Sequence, residues 1–264
     1  MRGGAPCIRS GKGFYAMINL VLSLAIGFSV AIAIRLTGLP LIAGIIPGSI
    51  ATFAALFLLG RRVFNKLQAV NGQVQTELAS LSGNPKEHKA KVDKVVKLLE
   101  AALPLGKWQF MVEQEIWGQI GIIRYVFKDL PAAEAAFEKS SPRNYLAKAM
   151  QAAMFHNRKE FERSVAAFEA AVKAGKKTSL VWAAYAWCLM QNKEKDKAIA
   201  VLARAVQENP SDEKLKSALT ALQNDKKLKM KAWEPEWWQL GLENPPVPQP
   251  VFSGGGRQMR FARR

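Results

Sequence analysis

Residues 182–210 read WAAYAWCLMQNKEKDKAIAVLARAVQENP, and the reading of this stretch decides the fold. Trp182, Ala186 and Leu189 fall at helical spacing on one run, and Ala198, Leu202 and Ala205 do so on the next, with Pro210 closing the unit. Small residues at Ala186 and Ala198 let two antiparallel helices approach closely, while the large ones fill the gap to the next pair. A unit of this kind cannot bury its apolar surface alone, so it predicts neighbours built the same way.

Those neighbours lie upstream. Ala198–Leu202 aligns with Ser164–Phe168, 34 residues earlier, and with Ala133–Phe137 a further 31 before that. Twelve residues ahead of each leading small residue stands another, Ala186, Ala152 and Gly121, and four ahead of those stand Trp182, Lys148 and Trp117. Three residues behind the same small residues come Leu189, Phe155 and Arg124. Three behind the large residue of the second helix come Ala205, Ala171 and Ser140.

This alternation over about 34 residues resembles the tetratricopeptide repeat family. The third unit carries it in Trp182, Ala186, Ala198 and Pro210. The second has Ala152 and Phe168 but Lys148 where the family prefers a bulky residue. The first has Trp117, Gly121 and Phe137, with Arg124 at another bulky position and three residues missing before the next unit. The likeness covers roughly residues 114–212. Helix 86–103 repeats some offsets in Val92, Val96, Leu99 and Pro104, as half of a degenerate earlier unit would. Ser211–Gln223 reads as a capping helix started by Asn209-Pro210-Ser211-Asp212.

That resemblance implies a right-handed stack of helix pairs with a concave surface that receives a segment of another protein. One subclass grips C-terminal carboxylates with Lys and Asn on the inner helices. Here Ile122, Ala153 and Trp187 stand where Asn is expected, so a partly apolar groove is implied, with Gln151, Tyr185 and Trp187 as candidate contacts.

Working toward the N-terminus, residues 61–106 form an amphipathic connector in which Leu67, Val70, Val74, Leu78 and Leu81 continue one apolar stripe. Ser82-Gly83-Asn84-Pro85 interrupts it, Asn84 serving as cap and Pro85 as first-turn residue. Lys86, Lys89, Lys91, Lys94 and Lys97 are read as a solvated face, or one that meets anionic lipid.

Ahead of the connector, residues 14–60 hold two charge-free runs, about 15–34 and 39–60, each long enough as a helix to cross roughly 30 Å of hydrocarbon. Arg35–Gly38 is too short for anything but a tight turn, so both ends of a transmembrane hairpin return to one side. Residues 1–60 carry four basic and no acidic groups. Arg2, Arg9 and Lys12 in the basic tail 1–13, and Arg61, Arg62 and Lys66 after the second run, mark that side as cytoplasmic. An inner membrane of bacterial type is the expected location. Cleavage after Ala31-Ile32-Ala33 and a start at Met17 stay open, and both leave the C-terminal side unchanged. Ser23, Gly27 and Ala31 face Gly44, Gly48 and Thr52 in this reading, with homo-oligomerisation through Gly44-x-x-x-Gly48 as the alternative.

Past the cap, residues 231–264 hold Trp233, Trp237 and Trp238, then Pro245–Pro250, then a Gly-rich end with Arg257, Arg260, Arg263 and Arg264. The indoles are expected on the last helix pair or at a membrane interface.

Lys and Arg number 38 against 21 Asp and Glu, a net charge of +17 that taken alone suggests nucleic acid. Its distribution, four charges in an acid-free hairpin and the rest on helices and a tail tethered beside it, makes it topology and surface electrostatics, and nucleic acid is disfavoured. Two Cys and two His leave little for metal or acid–base chemistry, and no phosphate-binding, hydrolase or zincin motif occurs. The sequence therefore predicts an all-α protein: a two-helix transmembrane hairpin followed by an α-solenoid of repeat-like pairs at residues 107–230. It is expected to be a membrane scaffold or adaptor for protein partners, without cofactor or catalysis. Alternatives are an anionic-lipid or nucleic-acid binder, or an accessory subunit of a larger membrane complex.

Overall fold

The computed structural model describes residues 18–80 and 85–245, and among them every regular element is helical. The basic leader with Arg2, Arg9, Lys12 and Cys7, the start of the first charge-free run, the Ser82–Asn84 break, the proline run from Pro246 and the arginine end lie outside the described residues.

Helices α1 (Ile18–Leu36) and α2 (Leu41–Ala79) form the hairpin. The turn is made by Gly38 at φ +86° and by Pro40, whose missing N–H costs nothing at the start of a helix. Thr37 Oγ1 closes the end of α1 by donating to Ile34 O at 2.6 Å. The small-residue stripes meet each other: a Cβ on Gly27 would lie 2.6 Å from Gly48 O, and one on Gly44 would lie 2.9 Å from Ala31 O. Backbone contact at this range admits no side chain, which is why the spacing of four recurs on both helices. The outward faces stay bare. Phe28, Ile46, Phe53 and Phe57 are each about 70% exposed (69%, 71%, 72% and 68%), so the outward faces of both helices present a continuous apolar surface.

No break occurs at Gly60. The second helix runs on unbroken to Ala79, and beyond Arg61-Arg62 it changes from apolar all round to one buried stripe, Val63 and Val74 with Leu67, Val70 and Leu78. Against that stripe packs α3 (Pro85–Ala102), through Val92, Val95, Val96 and Leu99. Lys94 Nζ pairs with Glu77 Oε1 at 2.5 Å and Lys91 Nζ donates to Ser80 O at 2.6 Å. Part of the lysine run thus ties α3 to α2. A 3₁₀ turn, Leu103–Lys107, leads on to α4 (Val112–Val126).

Three helix pairs follow: α4 with α5 (Leu130–Lys139), α6 (Tyr145–Asn157) with α7 (Phe161–Ala174), and α8 (Ser179–Gln191) with α9 (Lys195–Glu208). Phe137, Phe168 and Leu202, the large residues of the second helices, are fully buried, as are the small residues Ala152, Ala186 and Ala198. At Gly121 a Cβ would lie 2.5 Å from the Phe137 ring, so glycine is what lets α5 close on α4. The first unit is three residues short because its second helix is four residues shorter, α5 spanning 10 residues against 14 each for α7 and α9, while the loop after it is one residue longer. Lys128, Lys159 and Lys193 end the first helices in left-handed conformation, φ 64°, 63° and 63°. At each, the next residue's N–H reaches back to the carbonyl five residues before it, as in Asp129 N to Arg124 O at 2.9 Å. Asp225 repeats this after α10 (Glu213–Gln223), with Lys226 N to Ala221 O at 2.8 Å, so α10 is built as the first helix of an unfinished fourth unit. Asp212 caps it by accepting from the N–H groups of Lys214 and Leu215.

Ile116, Ile120 and Ile123 of α4 share one apolar cluster with α2 and α3, and Arg124 binds Asp93 of α3 at 2.8 Å as well as Asp129 at 3.1 Å. The guanidinium at a bulky position of the repeat is thus the tie between the connector and the first pair.

Candidate functional site

In helical repeats the first helices of successive pairs lie side by side and make one continuous face. Gln151 on α6 and Tyr185 on α8 occupy equivalent positions, one residue ahead of Ala152 and Ala186, and both are buried. Gln151 Oε1 accepts from Lys148 Nζ at 3.1 Å, and the same ammonium reaches Phe137 O at 3.2 Å. A bulky side chain is replaced there by a cation tied to the preceding helix, and burial holds the Lys148 pKa below its usual value. The Tyr185 ring stacks on Phe168 at 5.3 Å, and its hydroxyl donates to Glu169 Oε1 at 3.1 Å. Both Glu169 oxygens also accept from Arg204, at 2.9 and 3.1 Å. That fork holds the Glu169 carboxyl below its ordinary range, and burial raises the Tyr185 phenol.

Trp187, two residues on, points to the other side of α8. Its ring meets His156 edge-on at 5.8 Å and Trp237 edge-on at 5.3 Å. The three candidate groove residues are therefore not brought to one open surface. Gln151 and Tyr185 lie between helices, and Trp187 lies under the C-terminal segment.

That segment is the main feature of the face. After Asp225 the chain forms a 3₁₀ turn, Met230–Trp233, and a short helix α11 (Glu236–Gln239). Trp233 Nε1 donates to Ser179 Oγ on α8 at 3.0 Å. Farther on, Gly241 O accepts from Asn157 Nδ2 of α6 at 3.0 Å and Leu240 O from Tyr125 Oη of α4 at 2.7 Å. The segment thus runs back across all three first helices. Trp237 and Leu240 are as buried as any core residue, at 0% and 1% exposure, and burial pushes the Tyr125 phenol up to about 12. The indoles do pack on the repeat, over a wider span than the last pair, and nothing in Tyr125 or Asn157 as residue types marks them as the receiving groups. His156 is in the last turn of α6 with its Nδ1 buried and without a hydrogen-bond partner, and burial lowers its pKa.

The repeat signature residues take structural roles. Trp182 is buried and its Nε1 donates to Lys176 O at 2.9 Å, Lys139 Nζ lies 4.2 Å from the centre of the Trp117 ring, and Pro210 is an exposed turn residue. Glu115 accepts from Asn144 Nδ2 at 3.0 Å, and Asn144 caps α6. Cys188 is buried, which raises its thiol pKa well above the usual value.

On the second-helix side a cleft of about 680 Å³ stays open, lined by Phe161, Val165, Gln191 and Lys193, with the Phe161 ring exposed at its rim.

The tetratricopeptide repeat family model matches residues 156–222, from the end of α6 through α10. No curated protein and no solved structure matches the chain significantly.

Proposed function

We propose that this chain, whose residues 156–222 carry a tetratricopeptide repeat, is a membrane-anchored scaffold that binds protein partners rather than an enzyme. Repeats of this family are interaction modules, and helices α1 and α2 have the length and composition of membrane spans. The observation that carries the reading is the unbroken α2, which passes from an apolar hairpin straight into the core of the repeat stack. Anchor and repeats form one lever, so a partner bound to the repeats is held at a fixed place beside the bilayer. Arg61 and Arg62 directly after the second apolar run set that place on the cytoplasmic side.

The first-helix face already holds residues 230–241 of the chain itself, and the cleft beside Phe161 is an open, partly apolar surface left to a partner. A purely ionic reading of the connector is weakened by Lys91 and Lys94, whose ammonium groups are engaged with α2.

The test places a photo-crosslinking amino acid at Phe161 in the full chain within its native membrane. A protein adduct of discrete mass that persists when the membranes are washed at high salt is expected. Adducts to lipid alone, or adducts abolished by salt, would contradict the scaffold reading and favour the ionic one.

A further inference from the structure

The segment between α3 and α4 leaves two large aromatic side chains in the open: Trp108 is 43% exposed and Phe110 59% exposed, with Lys107 and Gln109 exposed beside them. The segment is not loose. Trp108 N and Gln109 N both donate to Leu105 O, at 3.0 and 3.3 Å, and Gly106 sits so close to Glu113 that a Cβ would lie 2.6 Å from Glu113 Cβ. An aromatic pair on a rigid loop has a fixed address.

Two independent lengths give that address. From Arg61 to Ala79 the second helix climbs 19 residues, and α3 descends 18 residues along it, so at 1.5 Å per residue the loop returns to about the height of Arg61. The hairpin says the same. Gly27 faces Gly48 and Thr52, and eight residues back along α1 the antiparallel register sets Asn19 opposite Leu56 and Gly60, one residue short of Arg61-Arg62. Asn19 N donates to Trp108 O at 3.3 Å. The loop is therefore hydrogen-bonded to the helix turn where the apolar surface ends and the basic residues begin.

We propose that Lys107–Phe110, together with Arg61 and Arg62, is a contact surface for an anionic lipid bilayer. The indole of Trp108 and the ring of Phe110 lie in the interfacial layer, where amphipathic aromatic rings collect at the headgroup level. The three cations meet headgroup phosphates, an attraction that acts within about a Debye length of the surface. This second contact adds to the lever of α2 in holding the repeat domain against the membrane at a set height. The proposal rests on the reading of α1 and α2 as a membrane hairpin.

The test uses the full chain, with Cys7→Ser and Cys188→Ala, in nanodiscs of phosphatidylcholine and phosphatidylglycerol. Single nitroxides are attached at Phe110→Cys, at Phe53→Cys on the exposed hairpin face, and at Lys177→Cys on the far repeats, and relaxation by oxygen is compared with relaxation by a water-soluble nickel chelate. The expected result is a deep label at 53, an aqueous one at 177, and at 110 an oxygen-to-nickel ratio several-fold above that at 177. A ratio at 110 equal to that at 177, with 53 deep, overturns the proposal and leaves the hairpin standing. An aqueous label at 53 overturns both. A label at 110 shielded from both relaxants marks a protein occupant, a partner or a second copy, and also overturns it.

Discussion

Lys128, Lys159 and Lys193 hold a backbone conformation that costs an L-residue roughly 1–2 kcal/mol and a glycine almost nothing. Replacing any one by Gly is expected to raise the stability of the full chain by up to about 1 kcal/mol, the remainder being offset by the freer unfolded state. Chemical denaturation in detergent checks this, and a loss of stability would show that the lysine side chains contribute more than the turn. At these three turns the sequence was hard to read, because lysine is not a turn residue by type and only its recurrence at 31 and 34 residues betrays it. The large and small positions were legible for the opposite reason: Gly121 against Phe137 follows from residue volume alone. At His156 burial lowers the pKa, so the folded chain stays neutral where the unfolded one takes up a proton. Its contribution is complete above the ordinary value of 6.5 and declines as pH falls below it. Glu134, held down by hydrogen bonds from Arg158 and Arg163, and Glu169, held down by Arg204, lose their contribution only under more acid conditions. The variant His156→Phe should flatten the stability loss between about pH 7 and 5, and an unchanged slope would show that His156 does not set it.

Among the helices, the hairpin and the C-terminal segment make opposite demands on side-chain size. The variant Gly27→Leu has no room against Gly48 and Thr52 and is expected to part the two helices. The distance between spin labels placed at the exposed positions Phe28 of α1 and Phe53 of α2 should then lengthen; an unchanged distance would mean the small-residue stripe is not the contact. The variant Trp237→Ala instead opens a cavity under the segment, and about 3–5 kcal/mol of stability should go with it. Hydrogen exchange at residues 228–243 should rise together with that loss, and a protected segment in a destabilised protein would show that its backbone bonds to Tyr125 and Asn157 hold it without the indole. Hydrophobic spacing announced every repeat helix, since 3.6-residue periodicity is a property of neighbours in the chain. The path of residues 230–241 was not legible beyond the presence of tryptophans, because its partners Tyr125 and Asn157 lie 115 and 84 residues away from the carbonyls they bind. Candidate residues Gln151, Tyr185 and Trp187 share the same difficulty: periodicity places them on first helices, while the chain's own C-terminal segment decides what Trp187 faces.

For the molecule as a whole, the unbroken second helix joins what composition alone separates into an apolar anchor and a soluble stack. Its apolar stripe beyond Arg62 packs with α3 and α4 into one cluster, so the boundary between connector and repeat is a boundary in sequence pattern and not in the core. The net charge of +17 gains a location in the same way. Arg61, Arg62 and Lys107 lie at the base of the stack, Lys91 and Lys94 bridge helices, and Lys176 and Lys195 pair with Glu208 and Asp225. The central claim is that the hairpin crosses a bilayer with the repeats on the side of Arg61 and Arg62. The direct measurement is modification by a membrane-impermeant maleimide in intact cells, on Cys7→Ser, Cys188→Ala backgrounds bearing Thr37→Cys at the hairpin tip or Lys177→Cys on the repeats. Labelling of Thr37→Cys from outside, and of Lys177→Cys only after the membrane is opened, is the predicted result. Labelling of both positions from the same side would contradict the account.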